Sequence, residues 1–254
     1  MNRSFGFSTG ALAKGDFANA LRVLSPFHLP CIELSALRLS EVVPFMLAVP
    51  TLRTLPYRYV SFHAPSRFDA AEERWLVDIL EQNLPSSWPI VLHPDTIHDP
   101  ELWKRFHNQL AIENMDRRKA IGRSALELGA VFDALPDASL CFDIGHARQY
   151  DSSMTEAFRI LSFFQSKLVQ VHISEVNSQS QHDSISLGSK LAFQEVASLI
   201  PEDIPVIIES RVLESHISQE LTHAAEALFV RSCGVEGRGK VRVETCVLAP
   251  ALLH

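Results

Sequence analysis

The sequence has few cysteines, and none of them lie in the close pairs that bind metals or carry out redox chemistry. Its four cysteines are widely separated along the 254 residues. They are Cys31, Cys141, Cys233 and Cys246. Because no C-x-x-C spacing is present, the pattern favours buried free thiols in a reducing compartment over a disulfide framework.

Long hydrophobic runs are also missing. No apolar stretch approaches the roughly 20 residues that a membrane-spanning helix needs. The first ten residues, MNRSFGFSTG, lack the apolar centre of a signal peptide. We therefore expect a cytoplasmic protein with no membrane partner.

Glycine and positive charge are both scarce. Only 10 residues are glycine, and Ser8-Thr-Gly10 is too short to be the Gly-rich turn that opens a doubly wound nucleotide-binding sheet. The formal net charge of −7 argues against a surface that coats nucleic acid, because such surfaces neutralise phosphates with Lys and Arg. A local basic rim is still compatible with this charge, and 46% hydrophobic residues suffice for a large core.

Six apolar runs each end in a residue that can bind a metal ion. They cover residues 59–63, 90–93, 110–113, 140–143, 169–172 and 206–209, and they end in His63, His93, Glu113, Asp143, His172 and Glu209. Each run has the length and composition of a strand buried on both faces of a parallel sheet. Sites form at the carboxyl ends of such strands, so the six runs predict one shared site.

Two further apolar runs, 4–8 and 31–35, bring the number of predicted strands to eight. Segments with helical periodicity lie between them, and one begins at a capping box formed by Asp69 and Glu72. No linker divides the chain, so we predict one (β/α)₈ TIM barrel over residues 1–233. An open doubly wound sheet is the alternative. Residues 234–254 are expected to form a short C-terminal extension, packed outside the barrel or serving as an oligomer-forming arm.

The mixture of imidazoles and carboxylates predicts a divalent metal centre. Such ligands suit Zn²⁺, Mn²⁺, Fe²⁺ or Co²⁺, whereas Mg²⁺ prefers oxygen ligands alone. Four successive strand ends could enclose one ion: Glu113, Asp143, His172 and Glu209. His63 and His93 could hold a second ion with Glu113 as a bridge. As alternatives, a lone histidine at a strand end is often only hydrogen-bonded, and Asp143 could cap the next helix.

Two loop histidines could extend this centre. In Asp143-Ile-Gly-His146, the glycine would allow both polar side chains to turn into one cavity. His182 lies in the loop after the seventh predicted strand and could reach the same mouth. Loop histidines are also ordinary surface residues, and that interpretation stays open.

At these residues the chain resembles the xylose isomerase-like superfamily of TIM barrels, which includes endonuclease IV-type abasic-site endonucleases and sugar isomerases and epimerases. The resemblance covers roughly residues 4–230, and its motifs are Phe62-His63-Ala-Pro, His93, Ile112-Glu113-Asn114, Asp143-Ile-Gly-His146, His172 and Ile208-Glu209. It implies that the quartet from the four successive strands is the metal site of the whole superfamily. His63 and His93 match the extra histidines of the endonuclease branch.

The chain departs from the endonuclease pattern after the seventh strand. That branch has an Asp-x-His pair shortly before a Leu-Gly, and the matching positions here are His182 and Ser184. The pair would bind a third ion together with His146. We therefore expect one or two ions, with the third in question; Asp183 could substitute only if the loop shifts by one residue.

Resemblance to the isomerases implies metal-assisted proton transfer on a small polar substrate such as a sugar or a sugar phosphate. Glu113 and Glu209 would carry the proton, and Asn114, Arg148 and Arg211 would bind the substrate. The alternative is metal-dependent hydrolysis of abasic DNA by the same centre. A rim of cations just beyond the strand ends could serve either substrate: Arg67, Arg117, Arg118, Lys119, Arg148 and Arg211. A non-catalytic metal-binding barrel is the third hypothesis, and no oligomeric state is predicted.

Overall fold

The structure, a computed structural model, describes residues 3–229. The proposed C-terminal extension, together with Cys233 and Cys246, lies outside the described residues. Within them, Cys31 and Cys141 are buried free thiols, as expected. None of the helices in this part of the chain has the length and apolar character required to cross a bilayer.

Eight parallel strands close into a barrel, which confirms the predicted (β/α)₈ architecture. The described residues contain these barrel strands and two short strands outside the barrel. In chain order they are β1 (Phe5–Ser8), β2 (Cys31–Ser35), β3 (Tyr59–His63), β4 (Ile90–Leu92), β5 (Leu110–Glu113), β6 (Ser139–Asp143), β7 (Leu168–Ile173), β8 (Glu175–Val176), β9 (His182–Asp183) and β10 (Val206–Ile208). Strands β1 to β7 and β10 form the barrel, and β10 pairs with β1 to close it. The antiparallel pair β8 and β9 is a separate small sheet in the loop after β7.

Helices cover the outside of the barrel. They are α1 (Thr9–Ala13), α2 (Phe17–Leu24), α3 (Leu39–Leu52), α4 (Ala70–Asn83), α5 (Pro100–Trp103), α6 (Ala125–Ala134), α7 (Ile144–Tyr150), α8 (Thr155–Phe164), α9 (Leu187–Gln194) and α10 (Ile217–Ala227). Helix α4 begins at the predicted capping box, where Asp69 accepts from the Glu72 N–H at 3.0 Å and Glu72 accepts from the Asp69 N–H at 2.9 Å. Because helices cover one face of each strand and the barrel interior covers the other, the strands are buried on both sides.

A buried carboxylate fixes the loop that follows β4. Glu73 on α4 is 1% exposed and accepts hydrogen bonds from the backbone N–H groups of His98 and Asp99 at 2.8 and 2.9 Å. It also accepts from the indole N–H of Trp103 at 2.8 Å. These three bonds tie the β4–α5 loop, which borders the site described below, to the outer helical layer.

Replacing Glu73 with alanine should therefore destabilise the barrel. Three buried donors would lose a charged acceptor at once, so the free energy of unfolding is expected to fall by about 3 kcal/mol or more. Chemical denaturation measures this difference. Arg74→Ala, a change at the exposed neighbouring position, is the matched control and should alter stability by less than about 0.5 kcal/mol. Equal effects of the two substitutions would contradict the assigned role of Glu73.

Candidate metal centre

Eight polar side chains that the sequence analysis singled out meet at the carboxyl-terminal mouth of the barrel. They fall into overlapping groups whose ligand atoms lie within 4.8 Å of one another. The members are His63, His93, Glu113, Asp143, His146, His172, His182 and Glu209. The parallel strands bring them together because each strand ends at the same edge of the barrel.

The first group consists of His63, His93 and Glu113. Nε2 of His63 and Nε2 of His93 lie 3.3 and 3.1 Å from the same oxygen, Glu113 Oε2. The Nδ1–H of His63 is placed to donate to the Ala64 carbonyl at 2.8 Å, which leaves its Nε2 lone pair directed at the group. Three ligand atoms that face the same point could hold one ion and leave part of its coordination shell open.

The second group is the quartet from the four successive strand ends. Nδ1 of His172 lies 3.3 Å from Glu113 Oε1 and 3.4 Å from Glu209 Oε2. Asp143 completes the set, which is buried throughout. Glu113 thus directs Oε2 toward the first group and Oε1 toward the second, the arrangement of a bridging carboxylate.

The third group joins Asp143 with the two loop histidines. The rings of His146 and His182 have centroids 5.2 Å apart, and all three ligand atoms lie within 4.8 Å of one another. His182 is held by a 2.8 Å contact between its Nδ1 and the Ser174 hydroxyl. The loop histidines therefore face the site.

The residues after His182 do not restore the missing histidine. The Ser184 hydroxyl bonds to the carboxylate of Glu220, away from the centre. Asp183 is exposed and accepts from the Asn177 amide at 2.8 Å, so it does not substitute. The third group consequently has one ligand fewer than the endonuclease pattern.

The Asp-Ile-Gly-His motif works through its glycine and its helix cap. Asp143 is the last residue of β6 and caps α7, with Oδ1 accepting from the His146 N–H at 2.7 Å. Its buried Oδ2 has no hydrogen-bond partner among the described residues. A Cβ on Gly145 would approach the Ser174 carbonyl oxygen to 2.5 Å, so only glycine lets α7 start this close to the chain after β7.

Two expected substrate-binding residues lie elsewhere. The Asn114 amide spans from β5 to β6, donating to the Asp143 carbonyl at 2.8 Å and accepting from the Asp143 N–H at 2.7 Å. Arg148 donates to the Ser189 hydroxyl at 2.9 Å and lies 3.9 Å from Glu175. Since these contacts use both side chains, Asn114 fixes Asp143 and Arg148 anchors the α9 region. Neither lines the cavity at the barrel mouth.

That cavity has a volume of about 770 Å³. Loops that follow all eight barrel strands contribute to its wall, represented in order by Gly10, Leu37, Arg67, Thr96, Asp116, His146, His182 and Arg211. Four of the six expected rim cations line it: Arg67, Arg118, Lys119 and Arg211. Six of the eight candidate ligands also line it: His63, His93, Glu113, His146, His182 and Glu209.

Comparison with solved structures identifies the fold. Endonuclease IV from Thermus thermophilus superposes with a TM-score of 0.57 at 17% identity, covering 88% of this chain and 98% of the other. A putative sugar phosphate isomerase/epimerase from Anabaena variabilis gives a TM-score of 0.57 at 11% identity, covering 87% and 88%. The 3-keto-D-glucoside 4-epimerase from E. coli gives 0.52 at 9% identity, covering 87% and 100%. This chain has the same TIM barrel fold as these proteins.

Sequence comparison adds nothing to that assignment. No family model matches the chain, and no curated protein matches it. The similar structures bear the names of both an endonuclease and sugar epimerases, so the fold alone does not select the reaction.

Burial gives the carboxylates of this barrel unusual acidities. It raises the pKa of Glu209 to about 7 against the opposing effect of His172, and the charge of Glu113 adds to the rise. Burial likewise raises the pKa of Asp143 to about 6, although His146 opposes it. Glu113 behaves differently: burial favours its neutral form, but His93 and His172 hold its pKa well below the usual range.

A divalent cation fits these residues. Three carboxylates from three strands converge in a buried space, where their mutual repulsion is only weakly screened. The buried Asp143 Oδ2 has no hydrogen-bond partner among the described residues and lies 3.4 Å from Nδ1 of His146, so it could serve as a ligand atom. The donor set of imidazoles and carboxylates is the one that Zn²⁺, Mn²⁺, Fe²⁺ and Co²⁺ prefer. These groups could therefore hold a metal ion, and the bridging position of Glu113 could serve two.

Sequence reasoning missed Glu33. This residue lies in the middle of β2, is fully buried, and places Oε2 2.8 Å from Nε2 of His172. An acidic residue inside an otherwise apolar strand was the available signal. A prediction based on strand ends does not reach a residue in the middle of a strand.

Metal binding should release protons and strengthen as the pH rises. Burial disfavours charge on His63 and His146, but the adjacent Glu113 and Asp143 carboxylates outweigh it and raise their pKa values to about 9 and about 10. Both rings are therefore protonated in the metal-free protein at pH 7, and those that bind an ion must lose a proton. The pKa of the His172 ring is likewise raised well above its usual value, although burial opposes the rise. Calorimetric titration with Zn²⁺ in buffers of different ionisation enthalpy should therefore detect a net release of protons at pH 7.

The same titration contains its own controls. Affinity should fall as the pH is lowered from 8 to 6, because protons then compete more strongly with the ion. His63→Gln should reduce the proton release by about one, whereas a change at the exposed His216, His216→Gln, should leave it unchanged. A Zn²⁺ affinity that is independent of pH would contradict the assigned ligands.

Proposed function

We propose that this protein is a divalent-metal-dependent enzyme that isomerises or epimerises a small anionic sugar, such as a sugar phosphate. The observation that carries this proposal is the size and lining of the cavity. Segments after all eight barrel strands line a space of about 770 Å³ beside the candidate ligands, within the range of roughly 300–1,000 Å³ typical of small-molecule sites. A sugar phosphate has the size of such a site.

The charge of the cavity wall supports an anionic substrate. Lys119 is paired with Asp95 at 2.8 Å, and Arg118 lies 3.4 Å from Asp116. Arg67 and Arg211, in contrast, make no side-chain hydrogen bond or ion pair with any other residue between 3 and 229. Two uncompensated guanidinium groups on a protein of net charge −7 suit a phosphate or carboxylate of the substrate.

The two glutamates take different roles in this proposal. Glu113 lies within 3.3 Å of four histidines, and its depressed pKa makes it a weak base and a good bridging ligand. Glu209 borders the cavity, and its pKa of about 7 lets its carboxyl group take up and return a proton near neutral pH. We therefore assign proton transfer to Glu209 and metal binding to Glu113, although both were expected to be catalytic.

The other ligands complete the reaction. His63, His93, Asp143 and His172 would hold the ion together with Glu113. A bound divalent ion would supply Lewis acidity to a carbonyl oxygen of the substrate and so acidify the adjacent C–H bond. Arg67 and Arg211 would hold the anionic end of the sugar, and Glu209 would move the proton between the two carbons.

A phosphodiester hydrolase is the second candidate. The observation that favours it is the number of ligands. The quartet shares Glu113 with the first group and Asp143 with the third, and the three groups could together bind more ions than an isomerase requires. The loop that places Ser184 against Glu220 removes one ligand of the third group and counts against it.

Solvent exchange tests the proposed reaction. The protein loaded with Mn²⁺ or Zn²⁺ should incorporate deuterium from D₂O into a ketose phosphate, detected by NMR or mass spectrometry across a panel of sugars. Glu209→Gln should reduce the rate about 10²- to 10⁴-fold, because the proton carrier is lost. Metal content of the variant, measured in parallel, separates loss of the base from loss of the ion.

The panel includes abasic-site DNA as its opposing substrate. Incision of this DNA by the wild-type protein, without exchange into any sugar, would overturn the isomerase proposal in favour of the hydrolase. Exchange that persists undiminished in Glu209→Gln would remove Glu209 from the mechanism.

Arg211→Ala tests the anionic substrate class. Loss of this guanidinium should raise KM for the phosphorylated sugar about tenfold or more, as expected for one charge-assisted hydrogen bond of about 1.5–3 kcal/mol. KM for the unphosphorylated sugar should change little. Arg148→Ala is the matched control, because Arg148 lies outside the cavity, and it should leave both values unchanged. A tenfold effect from Arg148 rather than Arg211 would contradict the assignment.

A further inference from the structure

A buried carboxylate beneath the candidate metal centre has no role in the proposed reaction. Glu33 lies inside the barrel and is fully buried. No Lys or Arg of the described chain forms an ion pair with it; its charged partner is His172. Burial of an ionised carboxylate is costly unless hydrogen bonds and an opposite charge compensate it. The position of Glu33 thus calls for an explanation in terms of what it contacts.

Glu33 and the metal centre contact opposite nitrogens of the same imidazole. Nδ1 of His172 faces the carboxylates of Glu113 and Glu209 at 3.3 and 3.4 Å. Nε2 points the other way, 2.8 Å from Glu33 Oε2. A neutral imidazole carries hydrogen on only one of its two nitrogens. When that nitrogen donates a hydrogen bond, the lone pair of the other nitrogen is free to bind a metal ion.

We propose that Glu33 is the positioning residue of His172: it accepts the Nε2–H hydrogen bond, and so presents the Nδ1 lone pair to a divalent ion held with Glu113 and Asp143. This inference rests on the metal centre of the proposed function. A carboxylate behind a metal-bound histidine fixes the ring and raises its basicity as a ligand.

A chain of hydrogen bonds holds Glu33 in this orientation. The Gln170 side-chain N–H donates to Glu33 Oε2 at 2.7 Å, and the same amide nitrogen lies 2.7 Å from Nε2 of His172. Gln170 in turn accepts from the Tyr59 hydroxyl at 2.8 Å. The Ser61 hydroxyl donates to Glu33 Oε2 over a longer distance, 3.3 Å. Gln170 therefore contributes more than Ser61 to holding Oε2 beside His172.

The location of Glu33 also adds negative charge to the site. One of its oxygens lies within 4.8 Å of ligand atoms of His63 and Glu209. A carboxylate at that distance in a buried site increases the attraction for a cation beyond the effect on the ring. Both effects act in the same direction, so loss of the charge should weaken metal binding without removing a ligand.

The experiment compares Glu33→Gln with Ser61→Ala. Glutamine keeps the shape and an acceptor oxygen but removes the charge, so the dissociation constant for Zn²⁺, measured by competition with a chromophoric chelator, should rise 10- to 100-fold. The melting temperature of the metal-free variant should stay the same or rise, because a buried charge is gone. Ser61→Ala removes another donor to Glu33 that does not touch His172, and it should leave the Zn²⁺ affinity within twofold.

Other outcomes overturn the inference in distinguishable ways. If wild-type protein and Glu33→Gln bind Zn²⁺ equally, Glu33 does not position His172. If the melting temperature falls while the affinity holds, Glu33 is a structural residue only. If the wild-type protein binds no Zn²⁺, the metal centre fails and the inference fails with it.

A measurement on the wild-type protein keeps the test independent of how the variant folds. With ¹⁵N-labelled histidine, the ring of His172 in the Zn²⁺-loaded protein should show a protonated Nε2 in slow exchange and a metal-shifted Nδ1. His172→Gln assigns the signal by its disappearance. A metal-bound Nε2 or an unprotonated Nε2 would overturn the proposal.

Discussion

The buried carboxylate of Glu113 joins the parts of the candidate centre, because its two oxygens face different groups of histidines. Oε2 lies near His63 and His93, whereas Oε1 lies near His146 and His172. No other side chain in the described residues contacts so many of the candidate ligands. Glu113 could therefore contribute one oxygen to each of two ions, or both groups could serve a single ion.

Much of this arrangement can be predicted from the sequence, because parallel barrel strands produce a simple sequence pattern. Burial on both faces makes each strand a continuous apolar run, and a polar residue at its end must lie at the barrel mouth. His63, Glu113 and Asp143 all terminate their strands as predicted. The Asp-Ile-Gly-His146 spacing likewise follows from local geometry, since the cap and the glycine act within one turn.

Contacts across the barrel could not be predicted in this way. Glu33 meets His172 from a strand that is distant in sequence, and that pairing depends on register and on which side chains point inward. Asn114 directly follows β5 and Arg148 lies in α7, yet each turns to a partner that only the packed structure supplies. Strand ends indicate where a residue lies, whereas its partners decide what it does.

The residues of the cavity wall discriminate between the two candidate reactions better than the candidate metal ligands do. These ligands suit both an isomerase and a hydrolase, and the fold hosts both. The loops of all eight strands and the unpaired Arg67 and Arg211 favour a small anion. All of these assignments nevertheless presuppose a metal ion at Glu113.

Anomalous diffraction from crystals grown with Mn²⁺ tests that presupposition most directly. The account predicts a peak within coordination distance of Glu113, Asp143 and His172, and a second peak between Glu113 and the pair His63 and His93 at full occupancy. Absence of any peak at Glu113, with the ion bound elsewhere or not at all, would contradict it.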